Sequence, residues 1–421
     1  MDATHEPASA RAPVAAPLPG VVVLLLGVAL VVRLGVCAWS PAFQFPDEFL
    51  YQELAQNIAD HNAYAYETPK HGLYPVRQAP GLPLLLGLAG KVLTLSPLNC
   101  KLVNATVAWL AIAVLALLVW RQTGRPAVVG LLVLLAGLHP AHVFTSATNY
   151  PQSFQTLCVS LLALSLVRWI DHPAAGPAGF RPGLWMGVGA LFVPTQIFLV
   201  PAVWLARVVT SRTGLLRYSM ALGLGVLLPV LPWTLRNAVV ERAFIPFSTS
   251  GGEQFALGFC DQAGPNTGVQ ISLPEPVLEK VRQARSGHEV EAICKEAGRA
   301  WIRAHPVEAG RLWLLKFANF FRWDTGSLVT AEQGGGKRAW LSRMSSLAVM
   351  GIGVVGIGFL IRRERGLAVF AVAAMLFLAA GHACFLSRYR YRLPFEPLLL
   401  AWGLWGWTLR RRNRPSASPS P

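Results

Sequence analysis

Apolar runs about as long as a bilayer's hydrocarbon core is thick recur along the chain, separated by short polar joints. The first is Gly20–Trp39, followed by Leu102–Trp120, Ala127–Phe144, Phe154–Ile170, Leu184–Val208, Tyr218–Thr234, Ser345–Ile361, Leu367–Cys384 and Pro394–Leu409. Pro83–Leu95 is apolar as well but short, which predicts an interfacial or re-entrant piece. Leu184–Val208 contains Pro194 and Pro201 and has basic flanks at both ends. Two short crossings or a broken helix hairpin would satisfy those flanks. The pattern predicts an all-α polytopic membrane protein with about ten to twelve transmembrane helices.

Between the first two long runs lies PDEFLYQELAQNIADHNAYAYETPKHGLYPVRQAPGLP, from Pro46 to Pro83. Pro46 suits the first position of a helix, and Asp47 and Glu48 then occupy the first turn, where the macrodipole favours negative charge. Leu50, Leu54 and Ile58 give this helix one apolar face, so it should lie along the membrane surface where the first span ends. A carboxylate pair in that place is either a helix-end decoration or holds a general base.

The domain division follows from these runs. Residues 1–19, rich in Ala and Pro and without periodicity, read as a disordered cytoplasmic tail. Residues 20–409 form the transmembrane domain, with loops at 40–101 and 235–344 carrying interfacial helices, and 410–421 read as a basic cytoplasmic tail. Retention of the first span is expected, because its start is poor in charge and no small-residue cleavage site follows. Arg33 should either snorkel to the interface or lie near the Asp47 helix.

Composition sharpens the picture. The 421 residues are 53% hydrophobic and 14% charged, with mean hydropathy +0.45. The formal net charge is +16 and the pI about 10.2. Its excess Arg sits in the short joints Arg121–Pro126, Arg168–Pro182, Arg207–Arg217 and Arg362–Arg365 and in the Arg410–Arg414 tail. That is an orientation signal beside anionic lipid, and it argues against nucleic acid as a partner. With those joints cytoplasmic, the Asp47 loop, the Phe144–Gln152 loop, the insertion after Leu235 and the SRYRYR stretch all fall on the exported side. None of the six cysteines has metal-ligand spacing; Cys260 and Cys294 share one loop and are either a pair or two free thiols. No internal repeat is visible, which weakens a transporter reading.

Four stretches in order resemble a known family. DEFLYQELAQNIADHNAYAYE with PVRQAPGLPLLLGLAGKV is similar to the first exported loop of the GT-C superfamily of polyprenyl-phosphate-sugar glycosyltransferases, in particular the bacterial branch of the aminoarabinose transferase and its protein O-mannosyltransferase relatives. LPWTLRNAVVERAFIPFSTSGGEQFALG, AGRAWIRAHPVEAGRLWLLKFANFF and SRYRYRLPFEPLL resemble that branch's span-to-loop junction, amphipathic loop segment and start of the last span.

The resemblance implies a GT-C-type bundle and transfer of a sugar from a polyprenyl-phosphate donor to a lipid, glycan or protein acceptor, by single inverting displacement. It further implies a bacterial plasma (inner) membrane location with the site facing the periplasm or exterior. Asp47 matches the catalytic carboxylate, with Glu48 assisting or binding acceptor. For the phosphate, guanidinium groups on the same side are needed. Arg390 and Arg392, with Tyr391 between them, are first candidates; Arg77, Lys70 and Arg236 come second. Many relatives carry an acid where Gln152 stands, one that often helps hold a divalent metal or position the acceptor. Gln152 is a poor metal ligand, so no metal and no other cofactor is expected to be required. His139, His142 and His382 read as structural. The Ser248–Gly252 turn is either a backbone approach to a ligand or an ordinary loop. Lys316, in the amphipathic stretch Glu291–Phe321, should snorkel or reach phosphate. A lipid or small-molecule transporter, and an O-antigen-ligase-like or polymerase-like enzyme using a pyrophosphate-linked glycan, are the competing readings.

Overall fold

A computed structural model describes residues 16–68, 72–75, 78–171, 178–266, 271–322 and 337–410. The chain opens with helix α1 (Gly20–Trp39), α2 (Pro46–His61), a hairpin of β1 (Ala65–Thr68) and β2 (Gly72–Pro75), and α3 (Gly81–Gly90). Next come α4 (Pro97–Thr123), α5 (Pro126–Gly137), α6 (Pro140–Ser146), α7 (Gln152–Asp171), α8 (Phe180–Phe192), a 3-10 turn at Pro194–Leu199, α9 (Val200–Thr210) and α10 (Leu215–Glu241). The large loop holds α11 (Ser250–Gly258), α12 (Glu275–Gln283), α13 (Gly287–Ala304) and α14 (Pro306–Phe320). It is followed by α15 (Lys337–Leu360), α16 (Arg365–Ala383), α17 (Tyr389–Arg392) and α18 (Glu396–Arg410).

Among the described residues, five helices are long and apolar enough to cross a membrane: α1, α4, α10, α15 and α16; the α5–α6 pair, bent by 60°, makes a sixth if counted as one span. The rest of the bundle uses shorter apolar helices, among them α8 with 13 residues and α18 with 15. Where proline divides a long apolar run, the run is built from two shorter helices instead of one full-length helix. Pro194 separates α8 from α9, and Pro140 opens a new helix where α5 stops. The break expected within Leu184–Val208 is thus present at Pro194. At 10 residues, α3 reaches only about 15 Å, half of a hydrocarbon core.

α18 lies at the centre, against α15, α4, α5 and α7. Trp402, Phe370, Leu378 and Leu400 are fully buried in the main apolar core. The α15–α18 contact is backbone on backbone. A Cβ placed on Gly356 would stand 2.0 Å from the Gly403 carbonyl oxygen, and one on Gly406 would stand 1.9 Å from that of Gly356. Small residues allow this approach where packing, not water exclusion, holds helices together.

Three expectations are corrected. The span expected to stop at Thr234 continues to Glu241, so the insertion begins two turns later, at Arg242. The amphipathic stretch Glu291–Phe321 is two helices, parted at His305 with Pro306 opening the second. Ser248–Gly252 is not an open turn: Ser250–Gly252 is the first turn of α11, and Gly252 lets α13 pass, since a Cβ there would lie 2.5 Å from the Glu291 carbonyl oxygen. Cys260 and Cys294 are both buried and not joined in a disulfide.

The polar loops meet at one end of the bundle. Asn149 binds Glu48, Lys316 of α14 binds the Phe385 carbonyl, and Asn319 donates to the Ser387 carbonyl at 2.8 Å. The α2 loop, the 147–151 loop, the large insertion and the SRYRYR stretch are thereby gathered, as the charge bias of the joints predicted.

Candidate active site

The site is built on the first turn of α2. Pro46 supplies the fixed φ of the first helical position, and Glu48, at the third, folds its carboxylate back to the helix start. Glu48 Oε2 accepts from the backbone N–H of Gln44 at 2.8 Å and of Phe45 at 2.9 Å, and Oε1 accepts from the backbone N–H of Asn149 at 2.8 Å. The Asn149 side chain returns a bond from Nδ2 to the Glu48 carbonyl at 3.1 Å. Glu48 is wholly buried, whereas its neighbour Asp47 is partly open. Two adjacent carboxylates therefore have opposite situations: one is spent on backbone donors, the other faces outward.

Asp47 meets Tyr150. The Tyr150 hydroxyl lies 3.4 Å from Asp47 Oδ2, a long approach by hydrogen-bond standards. The Tyr150 ring is wedged among Tyr51, 6.2 Å away edge-on, and Phe45, at 6.3 Å. Burial first, and the charge of Asp47 second, push the Tyr51 and Tyr150 phenols up, so both stay protonated.

On the other face of Tyr150 stands Arg390, its guanidinium carbon 5.8 Å from the ring centroid. Arg390 also lies 5.2 Å from the Tyr391 ring and donates to the Tyr391 hydroxyl at 3.4 Å, while its buried Nε has no hydrogen-bond partner. Tyr391 is stacked on His382 with centroids 4.4 Å apart and planes 6° from parallel. Arg388 is 2% exposed, and burial together with the adjacent Arg390 lowers its guanidinium. Arg388 and Arg390 thus place two like charges side by side in this corner, with the Asp47 carboxylate acting on both.

Not every candidate from the sequence arrives here. Arg392 is committed elsewhere: its Nε donates to Glu396 Oε1 at 2.9 Å, and Nη1 donates to the carbonyls of Phe320 at 2.8 Å and Arg322 at 3.0 Å. Glu396 is itself held by the Tyr389 hydroxyl at 3.1 Å. Arg236 sits beyond the far end of α2, where its guanidinium covers Trp233 at 5.1 Å and Tyr64 at 5.7 Å. Since α2 has 16 residues, that is about 24 Å along the helix from Asp47. Gln152 lines a separate small cavity of about 20 Å³ with Arg33, His142, Thr145 and Thr156, and its Oε1 has no partner. Lys70 and Arg77 lie outside the described residues.

Arg33 neither snorkels nor reaches α2. It is buried and donates to the carbonyls of Ala29 and Gly137, which pins α1 to the end of α5. Lys316 is likewise turned inward rather than toward lipid or phosphate, donating to the carbonyls of Gly258 and Phe385. His139 caps α6 by accepting from the backbone N–H of Ala141 at 3.2 Å. Sequence reasoning overlooked Tyr150 and Asn149. The available signal was an aromatic residue set directly before Pro151 in the short loop that opens α7.

The donor set around Asp47 is poor in metal ligands. Both Glu48 oxygens are occupied, Asn149 and Gln152 are amides, and among the described residues no three His, Cys, Asp or Glu side chains converge to hold a metal ion.

No family model and no curated protein matches the chain. Among solved structures, it is similar to the oligosaccharyltransferase of Archaeoglobus fulgidus tethered to an acceptor peptide, with 14% identity and TM-score 0.50 over 91% of this chain and 49% of that one. The same organism's oligosaccharyltransferase AglB, in complex with an inhibitory peptide and a dolichol-phosphate, matches with 14% identity and TM-score 0.49 over 91% of this chain and 50% of that one. ArnT from Cupriavidus metallidurans bound to undecaprenyl phosphate matches with 18% identity and TM-score 0.45 over 87% of this chain and 77% of that one. The chain spans about half the length of the archaeal protein. What the likeness at TM-score 0.50 shows is the fold, a helical membrane bundle like that of the archaeal oligosaccharyltransferase.

Proposed function

We propose that this GT-C-fold membrane protein is a glycosyltransferase that moves a sugar from a polyprenyl-phosphate donor to a hydroxyl of a lipid, glycan or protein acceptor. The observation that carries the reading is the meeting of Asp47 and Arg390 on two sides of Tyr150, although they lie at opposite ends of the sequence. A partly open carboxylate and an arginine with an unused donor, held by one wall of aromatic rings, supply the two functions such a transfer requires.

The step is a single displacement. Asp47 removes the proton from the acceptor hydroxyl as its oxygen forms a bond to the anomeric carbon. The bond between that carbon and the phosphate oxygen breaks, and its electron pair leaves with the phosphate. Configuration inverts, and polyprenyl phosphate and the glycosylated acceptor are released. Arg390, backed by Arg388, stabilises charge gathering on the departing phosphate; a guanidinium keeps its proton at any working pH. Arg392 is assigned to fixing α17 and Glu48 to fixing α2, neither to substrate. The reaction is read as metal-independent, because the donor set around Asp47 offers one free carboxylate and the charge is supplied by arginine.

The neighbours' ligands fit this reading, as AglB was solved with a dolichol-phosphate and ArnT with undecaprenyl phosphate. The positive joints support an orientation with the site on the exported side, and the resemblance to the bacterial branch adds an inner-membrane location to the reading. The test is mass analysis of envelope lipids and glycans from cells carrying the wild-type or the Asp47→Asn chain. Loss of one sugar modification in the variant, with equal protein in the membrane, is expected. An unchanged envelope would remove Asp47 as base. Solute movement without sugar consumption would turn the reading to a transporter, and a requirement for a pyrophosphate-linked glycan would turn it to a ligase-like enzyme.

A further inference from the structure

Tyr150 touches both halves of the site, and nothing in the transfer chemistry calls for a phenol there. Its placement is imposed from both sides along the chain. Asn149 before it is bound twice to Glu48, and Pro151 after it starts the turn that leads into α7, with the Gln155 N–H reaching the Pro151 carbonyl at 3.0 Å. Tyr150 is 6% exposed and packed edge-on by Tyr51. The ring cannot swing away without disturbing α2.

We infer that Tyr150 is a positioning residue with two separable jobs, its hydroxyl aligning the Asp47 carboxylate and its ring seating the Arg390 guanidinium; this rests on the reading of Asp47 as base and Arg390 as phosphate ligand. Asp47 stands on a helix's open first turn, where a carboxylate is otherwise free to rotate. A phenol that stays protonated, with Asp47 Oδ2 as its neighbour at 3.4 Å, selects one orientation of the carboxylate and leaves Oδ1 to take the acceptor's proton. The ring acts differently. Its face attracts the guanidinium through the aromatic quadrupole, holding Arg390 without spending any of its N–H donors. That leaves the donors Arg390 does not give to Tyr391 for a phosphate oxygen. One residue thus sets the spacing between base and leaving-group site, and so the size of what fits between them.

The two jobs can be separated by two substitutions. In Tyr150→Phe the ring remains and the hydroxyl is lost; in Tyr150→Leu both are lost. The probes are undecaprenyl phosphate, for binding to the purified protein in lipid nanodiscs, and a panel of undecaprenyl-phosphate pentoses and hexoses, for sugar release with an acceptor-containing membrane extract. Tyr150→Phe is expected to bind undecaprenyl phosphate as wild type does, and to turn over the consumed donor about tenfold more slowly, as fits loss of one hydrogen bond to a charged group. Tyr150→Leu is expected to weaken undecaprenyl phosphate binding at least fivefold in addition. Unfolding temperatures of the variants check that packing is kept. A Tyr150→Phe protein with wild-type turnover overturns the hydroxyl's role, and a Tyr150→Leu protein with wild-type binding overturns the ring's. If the wild-type protein consumes no donor of the panel and binds no undecaprenyl phosphate, the transfer reading itself fails, and the inference with it.

Discussion

Glu48 and Asn149, 101 positions apart, hold each other by two hydrogen bonds, one from the Asn149 backbone N–H to the Glu48 carboxylate at 2.8 Å and one from the Asn149 side chain to the Glu48 carbonyl at 3.1 Å. Their chain neighbours Asp47 and Tyr150 are brought together as a consequence. The buried carboxylate is therefore the joint, and the open carboxylate beside it is what the joint presents. This division of labour explains how a helix end with two acids can satisfy its own backbone and still offer a free group.

Replacing Glu48 by Gln should harm stability before chemistry. One of its oxygens becomes an amide donor facing backbone N–H groups, so at least one buried donor loses its acceptor, a cost of about 2 to 3 kcal/mol. The unfolding temperature in detergent should fall, and any sugar transfer should fall with it because α2 loosens. A Glu48→Gln protein as stable as wild type would show that the joint does not hold α2.

Arg390 should show itself in donor binding. Arg390→Lys keeps a charge but loses the planar fork and the stacking on Tyr150, and should raise the donor KM about tenfold. Arg390→Gln should raise it about tenfold further. Because the group is largely shielded from solvent, added salt should change the wild-type KM little. Equal donor KM values in all three proteins would place the phosphate elsewhere.

Much of this was legible in the chain, for identifiable reasons. Pro46 and the acids after it mark the start of α2 by local chemistry alone, and the gathering of the loops follows from where Arg is allowed to lie in short joints. The proline break at Pro194 is equally local. The distinction between Asp47 and Glu48 was not legible, because it depends on Asn149, a partner set by tertiary packing. Arg392 illustrates a missed signal of another kind. Glu396 stands one helical turn after it, a spacing that favours an ion pair, yet the SRYRYR pattern drew attention to charge and away from its neutraliser. Where proline breaks an apolar run, hydropathy registers its length but not the bend, so the run is read whole and the structure shows it in shorter pieces.

The buried pair Arg392–Glu396 should behave as a unit. Removing one partner, as in Arg392→Met, leaves Glu396 wholly buried without its cation and should cost about 3 to 5 kcal/mol. Removing both, as in Arg392→Met with Glu396→Leu, should recover a large part of that loss. A double-mutant cycle on unfolding temperature in detergent measures the coupling. Additive losses would mean that the two side chains hold α17 separately.

Lys316 predicts a pH signature. Its ammonium is fully buried in α14, bound to the carbonyls of Gly258 and Phe385 and 3.9 Å from the Phe259 ring centroid. Burial lowers it to about 8, against a small opposing effect from Cys384 and Cys260. An unfolded lysine keeps its proton to about pH 10.4. Between these values the unfolded chain binds the proton that the folded chain has released, so raising the pH through this window favours the folded state. The gain amounts to about 3 kcal/mol. Below pH 8 the folded protein carries the whole penalty of a buried charge. Cysteines and tyrosines titrate in the same window, so the quantity to measure is the difference in unfolding temperature between wild type and Lys316→Met, taken at pH 7 and again near pH 10. That difference should shift in favour of wild type as the pH rises. A difference that stays constant would mean that Lys316 keeps an ordinary affinity for its proton, and that the contact among α11, α14 and the Phe385 loop does not strain it.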